Sequence, residues 1–142
     1  MNNDDLARDL ADVVPRLYRL LRTALDEDPD APSLEQLRVM QRIDEGMHNV
    51  SSLAAARQMR MSAITALIDP LVDRGWVSRE PDSRDRRRIH VDLTTDGRRA
   101  LRRGRQLTTR RMQGIVDRCE SEDLAHVLAA LIDAVDRYDG SR

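Results

Sequence analysis

Residues 53–93 carry the most ordered pattern in the chain, LAAARQMRMSAITALIDPLVDRGWVSREPDSRDRRRIHVDL. The alanine-rich start, residues 53–58, predicts a short helix that can approach a neighbour closely. Ser62 then begins a second predicted helix that ends near Asp73. Apolar side chains recur along it at helical spacing, at Ile64, Leu67, Ile68 and Leu71. Gly75 is placed to end this helix, because glycine tolerates the left-handed conformation that often follows a last turn. Two short helices joined by a tight turn are typical of a helix-turn-helix.

After Gly75 the sequence changes from helical to alternating periodicity. Residues 76–79 are strand-like, and residues 89–93 alternate strictly between apolar and polar side chains. The connecting residues 80–88 are rich in turn formers and in arginine. A β-hairpin with a charged tip directly after a helix-turn-helix predicts a winged helix.

Two helices are predicted on the N-terminal side of this region. An amphipathic helix over residues 4–26 contains Pro15, which we expect to kink the helix or split it. Ser33 and Gln36 form a capping-box pattern at the start of a helix over about residues 34–45.

Two more helices are predicted after the hairpin. Thr95 is expected to cap a helix over about residues 96–118, and a last helix is expected over about residues 122–138. The terminal helices carry apolar stripes that a chain of 142 residues buries poorly as a monomer, so we expect a two-fold homodimer. The expected fold class is mainly α, a winged helix-turn-helix with a helical dimerisation region and little β content.

The composition excludes several classes of protein. One cysteine cannot form an intrachain disulfide, which favours a reducing compartment. The polar, acidic N-terminus is unlike a signal peptide and no apolar run could span a bilayer, so we expect a cytoplasmic protein without membrane contact. No glycine-rich phosphate loop, nucleophile motif or pair of catalytic carboxylates occurs, so we expect neither an enzyme nor a cofactor.

The formal net charge of −1 conceals a strong asymmetry. All 24 basic residues are arginine, and 13 of them lie within residues 74–111, a block with a net charge of +8. Residues 1–50 and 112–142 are acidic, with net charges of −5 and −4. The absence of lysine is equally typical of a GC-rich genome, but the placement of the arginines predicts a polyanionic partner.

The ordered motifs of residues 53–97 resemble those of the MarR family of bacterial winged-helix regulators. The matching segments are Leu53–Ala56, Ser62–Asp69, Leu71–Val77, Asp82–Arg88 and Leu93–Gly97. The resemblance extends over about residues 5–138. It implies a single domain over residues 1–142, with the winged helix-turn-helix in residues 33–95 and dimerisation helices in residues 1–32 and 96–142.

The same resemblance implies a function. It implies a homodimeric, sequence-specific transcriptional regulator that binds a roughly palindromic operator in double-stranded DNA, usually as a repressor. It also implies that a small molecule, often an aromatic or phenolic acid, or another signal such as an oxidant relieves repression, although no ligand pocket can be assigned. An alternative from another class is a winged-helix module that docks on protein without specific DNA binding.

The second helix of the helix-turn-helix is expected to enter the major groove, N-terminal end first. Its candidate DNA-contacting residues are Arg60, Met61, Ser62, Ala63, Thr65 and Ala66. For Ser62, two roles are open, a DNA contact or only a helix cap. Many relatives carry arginine where this chain has Ala66, and they usually lack proline where it has Pro70. These departures reduce the expected direct base readout.

The hairpin loop supplies the second set of candidates. Four arginines are expected to insert into a narrow minor groove, where the negative potential is deepest: Arg84, Arg86, Arg87 and Arg88. By register, Arg87 resembles the wing-tip arginine of the family. Asp85 is expected to pair with a neighbouring arginine and to stabilise the wing, and Ser51 and Ser52 are possible phosphate contacts. The arginines within residues 98–105 are either a solvated helix face or further phosphate contacts.

The histidines and the cysteine are not expected to form a site. His48, His90 and His126 are far apart in sequence, and His90 is expected to face solvent on its strand, so no metal site is expected. Cys119 is expected to be buried or inert, because peroxide-sensing relatives place their reactive cysteine in the first helix.

Overall fold

A computed structural model describes residues 1–120 and 122–140. The elements in chain order are α1 (Asn3–Asp26), α2 (Leu34–Asp44), α3 (Val50–Ala56), α4 (Met61–Asp73), β1 (Val77–Pro81), β2 (Ile89–Leu93), α5 (Thr95–Val116) and α6 (Leu124–Gly140). This architecture confirms the mainly α fold class, with a two-stranded antiparallel sheet as its β content. The chain divides into two compact units, Met1–Arg111 and Met112–Arg142.

The first helix, α1, is continuous from Asn3 to Asp26 although Pro15 lies inside it, so the expected split is wrong. Proline removes the N–H that would bond to the carbonyl of Ala11. Both Pro15 and Ala11 are exposed, so water can hydrogen-bond to that carbonyl instead. The helix therefore tolerates the proline.

The core of the first unit lies among the helices of the helix-turn-helix, the hairpin and the start of α5. Helix α2 starts with the predicted capping box. The backbone N–H of Gln36 donates to Oγ of Ser33 at 3.2 Å, and the backbone N–H of Ser33 donates to Oε1 of Gln36 at 3.0 Å. The buried side chains include Leu37, Met40, Ile43, Leu53, Ile64, Ile68, Leu71, Val91 and Leu101. Burying each such side chain contributes about 1.5–3 kcal/mol. Because α4 and the hairpin both bury side chains in this core, their positions are fixed relative to each other.

Helices α3 and α5 begin earlier than expected. Helix α3 begins at Val50 because Oδ1 of Asn49 accepts the backbone N–H of Ser52 at 3.2 Å. Helix α5 is capped by Thr94 rather than by Thr95, since Oγ1 of Thr94 accepts the N–H of Gly97 at 3.0 Å. In both cases a side chain that reaches the N–H three residues ahead sets the start.

A backbone junction joins α4, β1 and α5. Gly75 ends α4 with a positive φ of 73°, as its position predicted. The N–H of Trp76 donates to the carbonyl of Leu71 at 2.9 Å, and the carbonyl of Trp76 accepts the N–H of Thr94 at 3.0 Å. A Cβ added to Gly97 would lie 1.9 Å from that carbonyl oxygen, so only glycine fits there. The wing and α5 therefore meet through direct backbone contact.

Exposed apolar side chains mark both terminal helices. On α1 they are Leu6, Leu10, Val13, Val14 and Tyr18. On α6, which contains no fully buried residue, they are Val127, Leu128, Ile132, Val135 and Tyr138. None of the described helices combines the length and apolar character that crossing a membrane requires.

Candidate nucleic-acid interface

Helix α4 is the second helix of the helix-turn-helix. It packs on the core through Ile64, Ile68 and Leu71. Its first two turns expose four of the predicted contact residues, Arg60, Met61, Ser62 and Ala66. Ala63 and Thr65 are partly buried between the exposed and the packed sides. The structure thus brings all six candidates together at the N-terminal end of one helix.

Arg60, not Ser62, occupies the N-cap position of α4. No side chain of the described residues caps this helix, and the carbonyl of Arg60 accepts the N–H groups of Ala63 and Ile64 at 3.0 and 3.1 Å. The capping role considered for Ser62 is therefore wrong, and its side chain is exposed in the first turn. The first N–H groups of a helix have no partner within the helix and favour a nearby anion.

Pro70 leaves the N-terminal half of α4 undisturbed. The helix continues through it to Asp73, and the carbonyl of Pro70 accepts the N–H of Arg74 at 3.0 Å. The proline thus lies at the opposite end of the helix from the candidate DNA contacts.

The wing is the β1–β2 hairpin with its loop, residues 82–88. Val77 pairs with Leu93 and Pro81 pairs with Ile89 in an antiparallel register. Strand β2 has the predicted bounds, whereas β1 ends at Pro81 rather than at residue 79. The strands are anchored by buried side chains at their core ends, so the loop projects from a fixed base.

Asp82 shapes the loop, a role that the sequence interpretation missed. Its Oδ1 accepts the N–H groups of Arg84 at 2.8 Å and Asp85 at 3.2 Å, and its own N–H donates to the carbonyl of Arg88 at 3.0 Å. The hydrogen bonds that the N–H groups of Arg84 and Asp85 donate to its carboxylate lower the pKa of Asp82 below its ordinary value. The bond from Arg84 has the larger effect. An aspartate that opens a loop commonly bonds the N–H two residues on, so the signal was present in the sequence.

Asp85 lies against two of the wing arginines. Its Oδ1 accepts the N–H of Arg87 at 3.1 Å, and its carboxylate oxygens lie 3.6 Å from Nε of Arg87 and 3.8 Å from Nε of Arg88. The side chain of Arg87 is nevertheless 95% exposed. Within the described part of the chain, the guanidinium groups of Arg84 and Arg86 form no ion pair. The loop is ordered by its aspartates while its arginines point outward.

Long-range contacts place the wing beside α4. Arg79 on β1 forms an ion pair with Asp69 on α4, a contact that no sequence motif indicated. A groove of about 240 Å³ separates the two elements and is lined by Met61, Thr65, Arg79 and Ile89, among others. The exposed start of α4 and the wing are therefore neighbours.

The first turn of α3 carries the two serine candidates. Ser51 and Ser52 are both exposed, and the N–H of Ser52 already donates to Asn49. Their side chains are thus accessible, but only the backbone of Ser52 takes part in capping α3.

Several arginines of α5 are paired with acidic residues of the N-terminal region. Arg103 bonds to Oδ2 of Asp28 at 2.8 Å through Nε and lies 2.6 Å from it through a terminal nitrogen. Arg111 pairs with Glu27 at 3.1 Å, and Arg105 lies 3.4 Å from Asp44. The hydrogen bond from Arg103 lowers the pKa of Asp28, and Asp28 raises the pKa of Arg103. Much of the basic block is therefore neutralised within the chain.

The structure modifies two expectations about isolated residues, and the alternative that Cys119 is inert stays a prediction. His90 is half-buried rather than solvent-facing, and its ring stacks on that of His48 with centroids 5.1 Å apart. Cys119 is exposed rather than buried.

These features define a winged helix-turn-helix protein with an arginine-rich wing beside the exposed start of α4. The sequence profile described as MarR family matches residues 33–89. An uncharacterised HTH-type transcriptional regulator of Mycobacterium bovis is 33% identical over 136 residues, which cover 90% of this chain and 93% of the relative. One from Mycobacterium leprae is 37% identical over 106 residues, covering 71% and 72%. A mutant of MarR from E. coli, crystallised with operator DNA, aligns with a TM-score of 0.74 at 27% identity and covers 92% of this chain and 93% of its own.

The chain belongs to the MarR family of transcriptional regulators.

Proposed function

We propose that this chain is a homodimeric repressor that binds a roughly palindromic operator in double-stranded DNA. The observation that carries the proposal is the wing: Asp82 and Asp85 order a loop whose arginines remain exposed, next to the start of α4. The similar E. coli MarR mutant was crystallised with operator DNA. In the proposed complex, α4 enters the major groove and the wing reaches the adjacent minor groove.

The α4 contacts follow from its exposed face. Arg60 can pair with a guanine edge or with a phosphate, while Met61, Ser62 and Ala66 lie close to the groove floor. Ala63 and Thr65 contact DNA at the margin of this face. Ala66 offers no hydrogen bond, so we expect part of the specificity to come from groove shape rather than from base edges.

The wing contacts follow from charge and exposure. Arg87 enters the minor groove, and Arg84, Arg86 and Arg88 neutralise flanking phosphates. Asp85 holds Arg87 and Arg88 in place rather than facing DNA. Ser51 and Ser52 contact a phosphate from the first turn of α3.

The homodimer is supported by the exposed apolar stripes on α1 and α6. A second copy of the chain covers these stripes, and dimerisation presents two α4 helices about 34 Å apart, one turn of DNA. A small aromatic or phenolic acid that prefers a dimer of different spacing would shift the population away from DNA and relieve repression.

The decisive experiment selects bound fragments from a genomic library and measures their affinity at several salt concentrations. We expect a palindromic consensus and an affinity that falls steeply with salt, because each neutralised phosphate adds about 0.9 to the logarithmic slope. Arg87→Ala removes one arginine from each of the two wings and should weaken operator binding while leaving the dimer intact. Arg60→Ala should cost about 1–3 kcal/mol and relax preference at one base pair if Arg60 reads a base.

Arg8→Ala is the matched control, since Arg8 is an exposed arginine of α1 whose ion-pair partner among the described residues is Asp5. It should bind DNA like the wild type. Binding without salt dependence or sequence preference would contradict the proposal and favour a module that docks on protein.

A further inference from the structure

We propose that His48, His90 and Asp92 form a binding site for a divalent transition-metal ion, for which Zn²⁺ is the best match. The structure brings these three residues together at the base of the wing, although they come from two separate segments. Each offers one ligand atom, and the three atoms all lie within 4.8 Å of one another. The inference is independent of any DNA-binding role.

The backbone holds the two segments in register. His90 and Asp92 are two residues apart on β2, so their side chains leave the same face of the strand. The segment before α3 joins this strand through a bridge between Asn49 and His90 and through the N–H of Val91, which donates to the carbonyl of His48 at 2.8 Å. The three side chains are thus positioned by main-chain hydrogen bonds rather than by chance proximity on a loop.

The hydrogen bonding of His48 prepares its ring for a metal. Nδ1 of His48 lies 3.0 Å from the carbonyl oxygen of Val91. A carbonyl only accepts, so Nδ1 carries the proton in this contact and Nε2 has the lone pair. Nδ1 also lies 3.8 Å from Oδ1 of Asp92, so the imidazole and the carboxylate are already neighbours. Metal-binding histidines commonly donate their other ring N–H to a carbonyl in this way, which fixes both tautomer and orientation.

The donor set indicates the class of ion. Two imidazoles and one carboxylate match Zn²⁺ sites that keep a fourth position for water, whereas Mg²⁺ and Ca²⁺ prefer oxygen ligands alone. Zinc–ligand distances near 2.0–2.1 Å place tetrahedral ligand atoms about 3.4 Å apart. The side chains must therefore close by roughly an ångström, and their exposed fractions, 37% for His48 and 51% for Asp92, leave room for that rotation.

The surroundings admit a cation. A solvent-open cleft of about 570 Å³ adjoins the site and is lined by His48, His90, Asp82, Glu45 and Arg42, among others. The guanidinium of Arg42 is 3.2 Å from the carboxylate of Glu45, so its charge is partly neutralised. The rings of His48 and His90 stack with their planes 24° from parallel, so binding one ion requires the rings to turn until their in-plane lone pairs converge.

The experiment titrates the full-length chain, freed of metal by a chelator, with Co²⁺. We expect one Co²⁺ per chain with the visible absorbance of a tetrahedral site, and displacement of Co²⁺ by Zn²⁺. His90→Asn and Asp92→Asn should each weaken Co²⁺ binding by at least about tenfold. Loss of a residue that only hydrogen-bonds to a metal ligand already lowers metal affinity by about 10–100-fold. Circular dichroism checks that each variant is folded, and Asp92→Asn, at an exposed position, keeps the test valid if His90→Asn unfolds.

His126→Asn is the matched control, because His126 is the chain's third histidine and lies on α6 outside the cluster. It should bind Co²⁺ like the wild type. The proposal is overturned if the wild type binds neither Co²⁺ nor Zn²⁺, if both site variants bind as the wild type does, or if His126→Asn abolishes binding.

Discussion

The guanidinium of Arg79 on β1 donates a hydrogen bond to the carboxylate of Asp69 on α4, so one ion pair joins the wing to α4. The two side chains are 36% and 49% exposed. Water screens such a pair, and its contribution to folding stability is about 0.2–1 kcal/mol. Because the pair joins α4 to the wing, the two elements that we propose to contact DNA, we expect a larger effect on DNA binding than on folding.

Asp69→Asn should therefore separate binding from stability. We expect the free energy of unfolding to change by less than about 1 kcal/mol. We expect operator affinity to fall by roughly fivefold, about 1 kcal/mol, because the wing is no longer held in its binding position. Fluorescence anisotropy with labelled operator and urea unfolding measure the two quantities.

Asp133→Asn is the control for charge, since it removes one negative charge from a pair with Arg137 on α6. A general charge effect would raise DNA affinity in both variants. Equal affinity of Asp69→Asn and the wild type would show that the ion pair does not position the wing.

Gly97→Ala should destabilise the chain strongly. The new Cβ would lie 1.9 Å from the carbonyl oxygen of Trp76, and a backbone atom cannot swing aside as a side chain does. We expect a loss of about 1–3 kcal/mol or more, as for an overpacked core. Thermal unfolding measures it, with Gly140→Ala as the control because a Cβ there meets no atom of the described residues within 4 Å. Unchanged stability of Gly97→Ala would contradict the tight junction.

The ion pair between Asp28 and Arg103 should make stability depend on acid pH. Arg103 lowers the pKa of Asp28 in the folded chain, so the unfolded chain takes up a proton first as the pH falls. The stability that Asp28 contributes is present above the ordinary carboxyl pKa and is lost as the pH falls through its lowered value. Asp28→Asn should therefore be less stable than the wild type at neutral pH and equal to it in acid.

Urea midpoints over a pH series measure this difference. Arg103→Gln removes the basic member of the same ion pair. Its urea midpoint should therefore depend on acid pH as weakly as that of Asp28→Asn. A stability difference that persists undiminished in acid would assign it to packing rather than to the ion pair.

Ile132→Asp should abolish the proposed dimer without unfolding the protomer. Ile132 is 61% exposed on α6, so a charge there leaves the buried core intact but opposes burial against a second copy. Sedimentation velocity should show half the mass of the wild type. His126→Asp places the same charge nearly opposite the apolar stripe of α6 and should remain dimeric. A dimeric Ile132→Asp would exclude this stripe as the interface.

The order of the elements could be predicted because it depends on local periodicity. Alternation gave β2 its bounds, and helical spacing of apolar residues located the helices on either side. The starts of α3 and α5 were harder to predict, because each has more than one possible capping residue nearby. Asn49 caps α3 although Ser51 and Ser52 follow it, and Thr94 caps α5 although Thr95 is adjacent. Choosing among neighbouring caps requires the backbone path, which a single sequence does not contain.

The contacts within the candidate interface were harder to predict because they join distant segments. Nothing in the neighbourhood of Arg79 points to Asp69, and nothing near His48 points to His90. The basic block of residues 74–111 predicted a polyanionic partner, which stays a prediction, but its net charge overstated the free positive charge, since Arg103, Arg105 and Arg111 pair with acidic residues of the N-terminal region. Only the fold reveals which charges remain available.

The junction at Trp76 has a mechanical consequence. Its N–H is held by Leu71 at the end of α4, its carbonyl is held by Thr94, and that same oxygen abuts Gly97 at the start of α5. Backbone groups in such contact cannot repack to absorb a displacement, as flexible side chains do. A tilt of the first turns of α5 is therefore transmitted as a rigid lever movement to the wing base and to the last turn of α4.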